Sequence, residues 1–188
     1  MCARLGDVPL VHMSNPVVAA INVGAWAVIH SGSGYAVHGL SVQRLSRDGW
    51  LFRPRAFERE GRLYVETLRI KRWKDRVPEA GALFPGGISK RHLTDVAAGG
   101  LERFVVETRR AELGHWLAMA PAPLFALWNP PLGVALMVAY GVGVNLPFIA
   151  IQRYNRIRVV RVLRSRGARA APPARSRNER GTNGISMP

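Results

Sequence analysis

Forty consecutive residues, from Leu113 to Gln152, carry no Asp, Glu, Lys or Arg, and a second stretch of 36, from Val8 to Gln43, is equally free of charge. A helix needs about 20 apolar residues to cross the ~30 Å hydrocarbon core of a bilayer, so both stretches are long enough. The charge missing from them is concentrated elsewhere. Residues 41–112 hold 16 basic and 10 acidic side chains, residues 152–188 hold 10 basic and 1 acidic, and the rest of the chain has only Arg4 and Asp7. A net charge of +15 points to nucleic acid or to an anionic membrane surface. The long charge-free stretches select the membrane, and no nucleic-acid partner is expected.

Turn signals and prolines divide the chain. The N-terminal segment, residues 1–40, is most apolar between Pro16 and Ile29 and is expected to be a retained anchor. A cleaved secretory signal would want a basic start, which Arg4 offset by Asp7 supplies poorly. Cleavage would also export the basic middle block, against the preference of Lys and Arg for the cytoplasmic side. Asn129-Pro130-Pro131 splits the second stretch into a membrane hairpin over residues 113–151. Its first arm, interrupted by Pro121 and Pro123, tilts, kinks or only re-enters, whereas its second arm is long enough to span.

Between the apolar segments, residues 41–112 mix charges with Trp50, Phe52, Phe57, Tyr64, Ile70 and Trp73. There, residues 62–70 read as either a strand or the start of a helix. The spacing of Leu101, Phe104, Val105, Thr108 and Glu112 predicts an amphipathic helix closing this region. Residues 152–188 form an arginine-rich tail, expected to be disordered after about residue 168. The fold class is thus a mainly α membrane protein of about three apolar helical segments, one N-terminal and two in a C-terminal hairpin. A small amphiphilic cytoplasmic α/β or α region lies between them. With both basic blocks cytoplasmic, three crossings and an outside N-terminus make it a multi-pass protein of the cell membrane.

Cys2 is the single cysteine, and histidines at 12, 30, 38, 92 and 115 share no metal-ligand spacing, so no metal site is expected. Glu112 and His115 are three apart on the predicted helix and share a face with Thr108 and Arg109. A histidine there can act as general base on a hydroxyl while the carboxylate fixes its tautomer. The competing reading is an interfacial histidine beside a Glu112–Arg109 ion pair. Asn145 lies inside the apolar run, and Gln152, Arg153 and Asn155 follow it, where polar groups are costly and often functional. Further polar clusters hold Trp73 with Asp75, and His92 with Asp95. The His-x4-Asp spacing of glycerolipid acyltransferases is met by none of the five histidines, and no Walker loop, Gly-x-Gly-x-x-Gly or Gly-x-Ser-x-Gly element is present.

Glu107-Thr-Arg-Arg-Ala-Glu-Leu-Gly-His-Trp116, a hairpin, and then Asn145-Leu-Pro-Phe-Ile-Ala-Ile-Gln-Arg-Tyr-Asn-Arg156 resemble the glycosyl-4,4'-diaponeurosporenoate acyltransferase family of carotenoid biosynthesis. The resemblance covers about residues 101–167, with weaker echoes at Arg72-Trp-Lys-Asp75 and Lys90-Arg-His-Leu93. It implies a membrane enzyme that moves a fatty acyl group onto a sugar hydroxyl of a glycosylated C30 carotenoid acid, towards staphyloxanthin-type pigments. An acyl thioester such as acyl-CoA would be co-substrate, with no cofactor. It raises His115 as the base with Glu112 orienting it, and Arg109, Asn145, Gln152, Arg153, Asn155, Trp73, Asp75 and His92 as positioning residues. Membrane lipids, the acyl donor, the glycosylated lipid acceptor and other membrane biosynthetic enzymes are the partners this implies. The chain departs in having only three lysines, a longer apolar N-terminus and a Pro/Arg tail, which bears on the identity of the acceptor. The rival class is a non-catalytic membrane scaffold or lipid-binding partner of other enzymes.

Overall fold

A computed structural model describes residues 14–47, 49–77 and 99–170, with side chains to residue 167. The described part is helical, and no strand occurs among its residues. Four α-helices organise it: α1 (Asn15–His38), the short α2 (Val42–Ser46), α3 (Gly100–Met119) and α4 (Pro131–Ala170).

Two helices are long and apolar enough to cross a membrane, Asn15–His38 and the part of α4 from Pro131 to Gly167. Pro16 opens α1 in the first turn, where its missing N–H costs nothing. At the other end, Arg110 Nη1 donates to the carbonyls of Val37, His38 and Leu40 at 2.6, 3.1 and 2.8 Å. A cation on the exposed carbonyls of a helix C-terminus satisfies both their hydrogen-bonding need and the dipole, and here it ties α1 to α3.

The expected first arm of the hairpin is not a third helix of that length. α3 stops at Met119, a 3-10 segment follows at Ala122–Leu127, and α4 begins at Pro131. Pro121 and Pro123 each lack a backbone N–H and crowd the preceding turn, and two such residues so close together end the α-helix here. By contrast α4 continues past Ile151, where the apolar run ends, through Arg153, Arg156, Arg158, Arg161 and Arg164. At 1.5 Å per residue its 40 residues extend about 60 Å, roughly twice a hydrocarbon core. Pro147 is accommodated within it.

The predicted amphipathic helix is present as α3, whose buried face is Phe104, Val105, Thr108, Arg109 and Glu112. It packs along α4 and against α1. Close contacts need small residues on both helices. An added Cβ on Gly114 would lie 3.3 Å from Val37, and one on Gly141 would lie 2.8 Å from the Trp26 ring, closer than any carbon tolerates. Around this second point Trp26, Ala122 and Phe125 form one core cluster, with Trp128 and Met137 packed on it. Asn22 and Asn129 exchange side-chain bonds at 2.9 Å, and Trp128 Nε1 donates to Asn22 Oδ1 at 2.7 Å.

The middle region contains no strand at residues 62–70. Leu63–Thr67 is a single π-helical turn, and Ile70–Arg72 is a 3-10 turn preceded by Arg69 at φ 47°. No neighbouring strand exists among the described residues to complete a ladder. The segment instead presses Tyr64 and Ile70 onto Ile151 and Tyr154 of α4, with Trp73 against the same cluster. A chain reversal at Arg59, Glu60 and Gly61, all at positive φ, brings it there.

Candidate functional site

Two buried polar assemblies lie where α3 meets α4. The first is small. His115 Nδ1 is 3.0 Å from Asn145 Oδ1, and the Asn145 amide nitrogen donates to the Gly141 carbonyl at 2.8 Å. That second bond fixes which way the amide points, because only its nitrogen can donate. Asn145 Oδ1 therefore faces the imidazole as an acceptor, His115 carries its proton on Nδ1, and the Nε2 lone pair is left for another donor. Phe148 stacks on the His115 ring at 4.7 Å and holds its plane. Asn145 is 1% exposed and His115 is half-buried, so the pair is anchored in the packed interior on the α4 side.

The second assembly is an ion-pair bracket. Arg153 grips Glu58 with Nε at 2.8 Å and Nη2 at 3.0 Å, the two-pronged geometry that suits guanidinium and carboxylate. Its Nη1 donates to Glu112 Oε1 at 2.7 Å and to the Leu51 carbonyl at 3.0 Å, while Nη2 also reaches the Arg53 carbonyl at 2.9 Å. All five N–H groups of Arg153 are thus used inside the protein. Arg156 Nη2 lies 2.5 Å from Glu112 Oε2, a close ion pair rather than an aligned hydrogen bond. Tyr64 donates its hydroxyl to Glu58, which also accepts the Arg55 backbone N–H. Glu58 and Glu112 are both 0% exposed.

Burial alone would raise the Glu58 carboxyl, but the Arg153 and Tyr64 hydrogen bonds, the Arg55 N–H and the Arg153 charge outweigh it and hold it below the usual carboxylate range. The same contact works in reverse on Tyr64, where burial and the adjacent Glu58 carboxylate push the phenol well above its ordinary value. The bracket thus sets the side chains of Glu58 and Glu112 against two guanidiniums, with Glu58 ionised and the Tyr64 phenol neutral.

The expected site residues are distributed unevenly over this frame. His115 and Asn145 are brought together across 30 positions of sequence. Glu112 does not orient His115: its carboxylate turns to Arg153 and Arg156, with a long 3.4 Å contact from Trp116 Nε1. The expected Glu112–Arg109 pairing is likewise replaced. Arg109 Nη1 donates to the Leu45 carbonyl at 2.8 Å and its guanidinium lies 5.8 Å from the Phe52 ring. Gln152 and Asn155 flank Arg153 on α4, half-buried. Trp73 packs at the Tyr64–Tyr154 cluster and donates to the Leu68 carbonyl, and Asp75 pairs with Lys74 at the surface. Neither joins His115. His92 and Asp95 lie outside the described residues. Among the described residues no group of His, Cys, Asp or Glu is arranged to hold a metal ion. Sequence reasoning did not select Glu58 or Tyr64, and nothing in the pattern distinguishes Glu58 from the other acidic residues of the middle block.

A helical protein with two membrane-length apolar helices and an oriented, half-buried imidazole between helices is the class these features define. A family model described as glycosyl-4,4'-diaponeurosporenoate acyltransferase matches residues 48–165, and the chain belongs to that family. The protein of that name from Staphylococcus aureus strain USA300 is 31% identical over 122 residues, covering 63% of this chain and 73% of its own length. Its counterpart from strain MRSA252 is 30% identical over the same span, and that from strain Newman is 31% identical over 114 residues. No solved structure matches. Both polar assemblies fall inside the matched region, whereas α1 precedes it.

Proposed function

We propose that this chain is a membrane acyltransferase that esterifies a sugar hydroxyl of a glycosylated carotenoid acid, or of a glycolipid built like one, with a fatty acyl group. The acyl donor is a thioester such as acyl-CoA. The observation that carries the reading is the His115–Asn145 pair: a neutral imidazole with its Nδ1 proton committed and its Nε2 lone pair available, beside apolar helices that suit a lipid-soluble acceptor.

In the reaction, His115 Nε2 removes the proton from the acceptor hydroxyl as its oxygen attacks the thioester carbonyl. The tetrahedral adduct collapses with cleavage of the C–S bond, the new ester C–O bond remains, and the imidazolium returns its proton to the departing thiolate. Asn145 Oδ1 stabilises the imidazolium through the Nδ1–H it already accepts. The bracket of Glu58, Glu112, Arg153 and Arg156 holds α3 and α4 in register so that this pair persists. In the membrane, α1 and α4 cross, the basic regions face the cytoplasm, and the site sits towards that face, where the donor arrives from water and the acceptor from lipid.

The reading is tested with membranes containing the protein, an acyl-CoA and a panel of glycosylated carotenoid acids and glycolipids. A new ester, heavier than an acceptor by one acyl group, is the expected mass-spectrometric product. Unchanged acceptors across the panel would instead favour a scaffold or lipid-binding role.

A further inference from the structure

His30 belongs to no motif, and it lies in the apolar part of α1, ahead of the family-matched region. An imidazole in a membrane-length helix is costly without a polar purpose. Among the described residues its ring makes only aromatic contacts: it stacks on Trp26 at 5.4 Å and meets Tyr140 edge-on at 6.3 Å.

Its position follows from the register of α1 on α4. Asn22 meets Asn129 just before α4 begins. One turn on, Trp26 donates to Met137 Sδ at 3.4 Å and lies against Gly141. The two helices therefore run parallel, and each step of four residues on α1 advances the contact along α4. His30 stands one turn beyond Trp26, as Asn145 stands one turn beyond Gly141. Gly141, whose side-chain position faces Trp26, is also the residue whose carbonyl accepts from Asn145, which in turn holds His115.

The geometry points to His30 as a binding residue of the same site, hydrogen-bonding a hydroxyl of a polyhydroxylated, sugar-bearing lipid while His115 faces the hydroxyl that reacts. This rests on the acyl-transfer reading for the identity of the acceptor. An imidazole suits such a group because one nitrogen donates and the other accepts, as a hydroxyl does. The neighbouring Tyr140 ring, 44% exposed, gives the sugar's apolar face a surface to lie on, while Trp26 holds the imidazole from the core side. Since α1 precedes the matched region, the contribution is to which acceptor is chosen, not to the chemistry of transfer.

The test uses the full chain in nanodiscs, with melting temperature and yield recorded for each variant. His30→Phe keeps the ring stacking on Trp26 and Tyr140 and removes both nitrogens. It is expected to raise KM for a glucosyl ester of a long-chain acid about tenfold, the loss of one hydrogen bond, while kcat stays within about threefold of wild type. His30→Gln, which restores a donor and an acceptor, is expected to recover part of that loss. Should His30→Phe not accumulate, His30→Leu carries the same expectation. Wild-type KM in a folded His30→Phe or His30→Leu protein overturns the proposal, and so does an equal fall in kcat alone. Equilibrium binding of the radiolabelled glucosyl ester separates the two readings. Binding weakened about tenfold in His30→Phe supports His30 even if no ester is ever formed, an outcome that would remove only the acyl-transfer reading. Equal binding by wild type and variant removes the His30 proposal.

Discussion

On α4, Asn145 and Arg153 are about two turns apart, and they anchor assemblies of opposite character. Around Arg153 every donor of the guanidinium is used, two carboxylates are paired, and a phenol closes the remaining side. Around Asn145 one hydrogen bond fixes one imidazole, and the second imidazole nitrogen is left for a ligand. A buried ion-pair network whose central guanidinium commits every donor holds elements in register, whereas an imidazole with one nitrogen uncommitted is available for chemistry. That difference separates two sets of residues which the motif alone would place in one site.

The largest expected effect comes from breaking the bracket. Arg153→Ala leaves Glu58 and Glu112 buried beside an incomplete set of cations and is expected to cost about 3–5 kcal/mol. It is seen as loss of folded protein from membranes and a large drop in melting temperature. A variant that folded normally and lost only activity would move the bracket into the active site. Asn145→Ala acts on the other assembly: it frees the imidazole to choose its tautomer, at about 1–3 kcal/mol of lost orientation. Acyl-transfer rate should fall roughly tenfold to a hundredfold in correctly folded protein.

Gly141→Ala forces a methyl against the Trp26 ring and is expected to destabilise by about 1–3 kcal/mol, lowering the melting temperature. The smallest effect is on pH dependence. Glu58 is held below its ordinary value of 4.5 in the folded state, so it contributes stability that is present above that pH and lost as pH falls through the depressed value. Tyr64 is raised above its ordinary 10.0, so its contribution is present below that pH and lost as pH rises further. Melting temperature should thus be flat between these limits and fall on both sides. Glu58→Gln should be less stable at neutral pH and should lose the acid-side decline.

The long helices were legible because their signal is local. An absence of charge over 20 or more residues survives any tertiary context, and α1 and the first half of α4 stand where that absence stands. The amphipathic spacing of Phe104, Val105, Thr108 and Glu112 marked α3 for the same reason. What the sequence could not convey was pairing at a distance. Glu112 and His115 share a helix face, which favours their interaction, but a carboxylate in a dry interior goes to the guanidiniums of α4 before a neutral imidazole. Those guanidiniums arrive 41 and 44 positions later, and the Glu58 that completes the bracket lies 95 positions before Arg153. No periodicity encodes that meeting. Of the two readings at residues 62–70 the strand failed similarly and the helix survives only as single π and 3-10 turns, because the left-handed turn at Arg59 and Glu60 and the packing of Tyr64 on Tyr154 decide its shape.

The most direct test of the central claim is the acyl-transfer rate of His115→Gln, measured per folded molecule against wild type. Glutamine can keep the hydrogen bond to Asn145 but cannot accept a proton at neutral pH. Loss of a general base predicts a fall of about a hundredfold to ten-thousandfold with melting temperature little changed. A folded His115→Gln protein that transfers acyl groups within a few-fold of the wild-type rate would contradict the assignment.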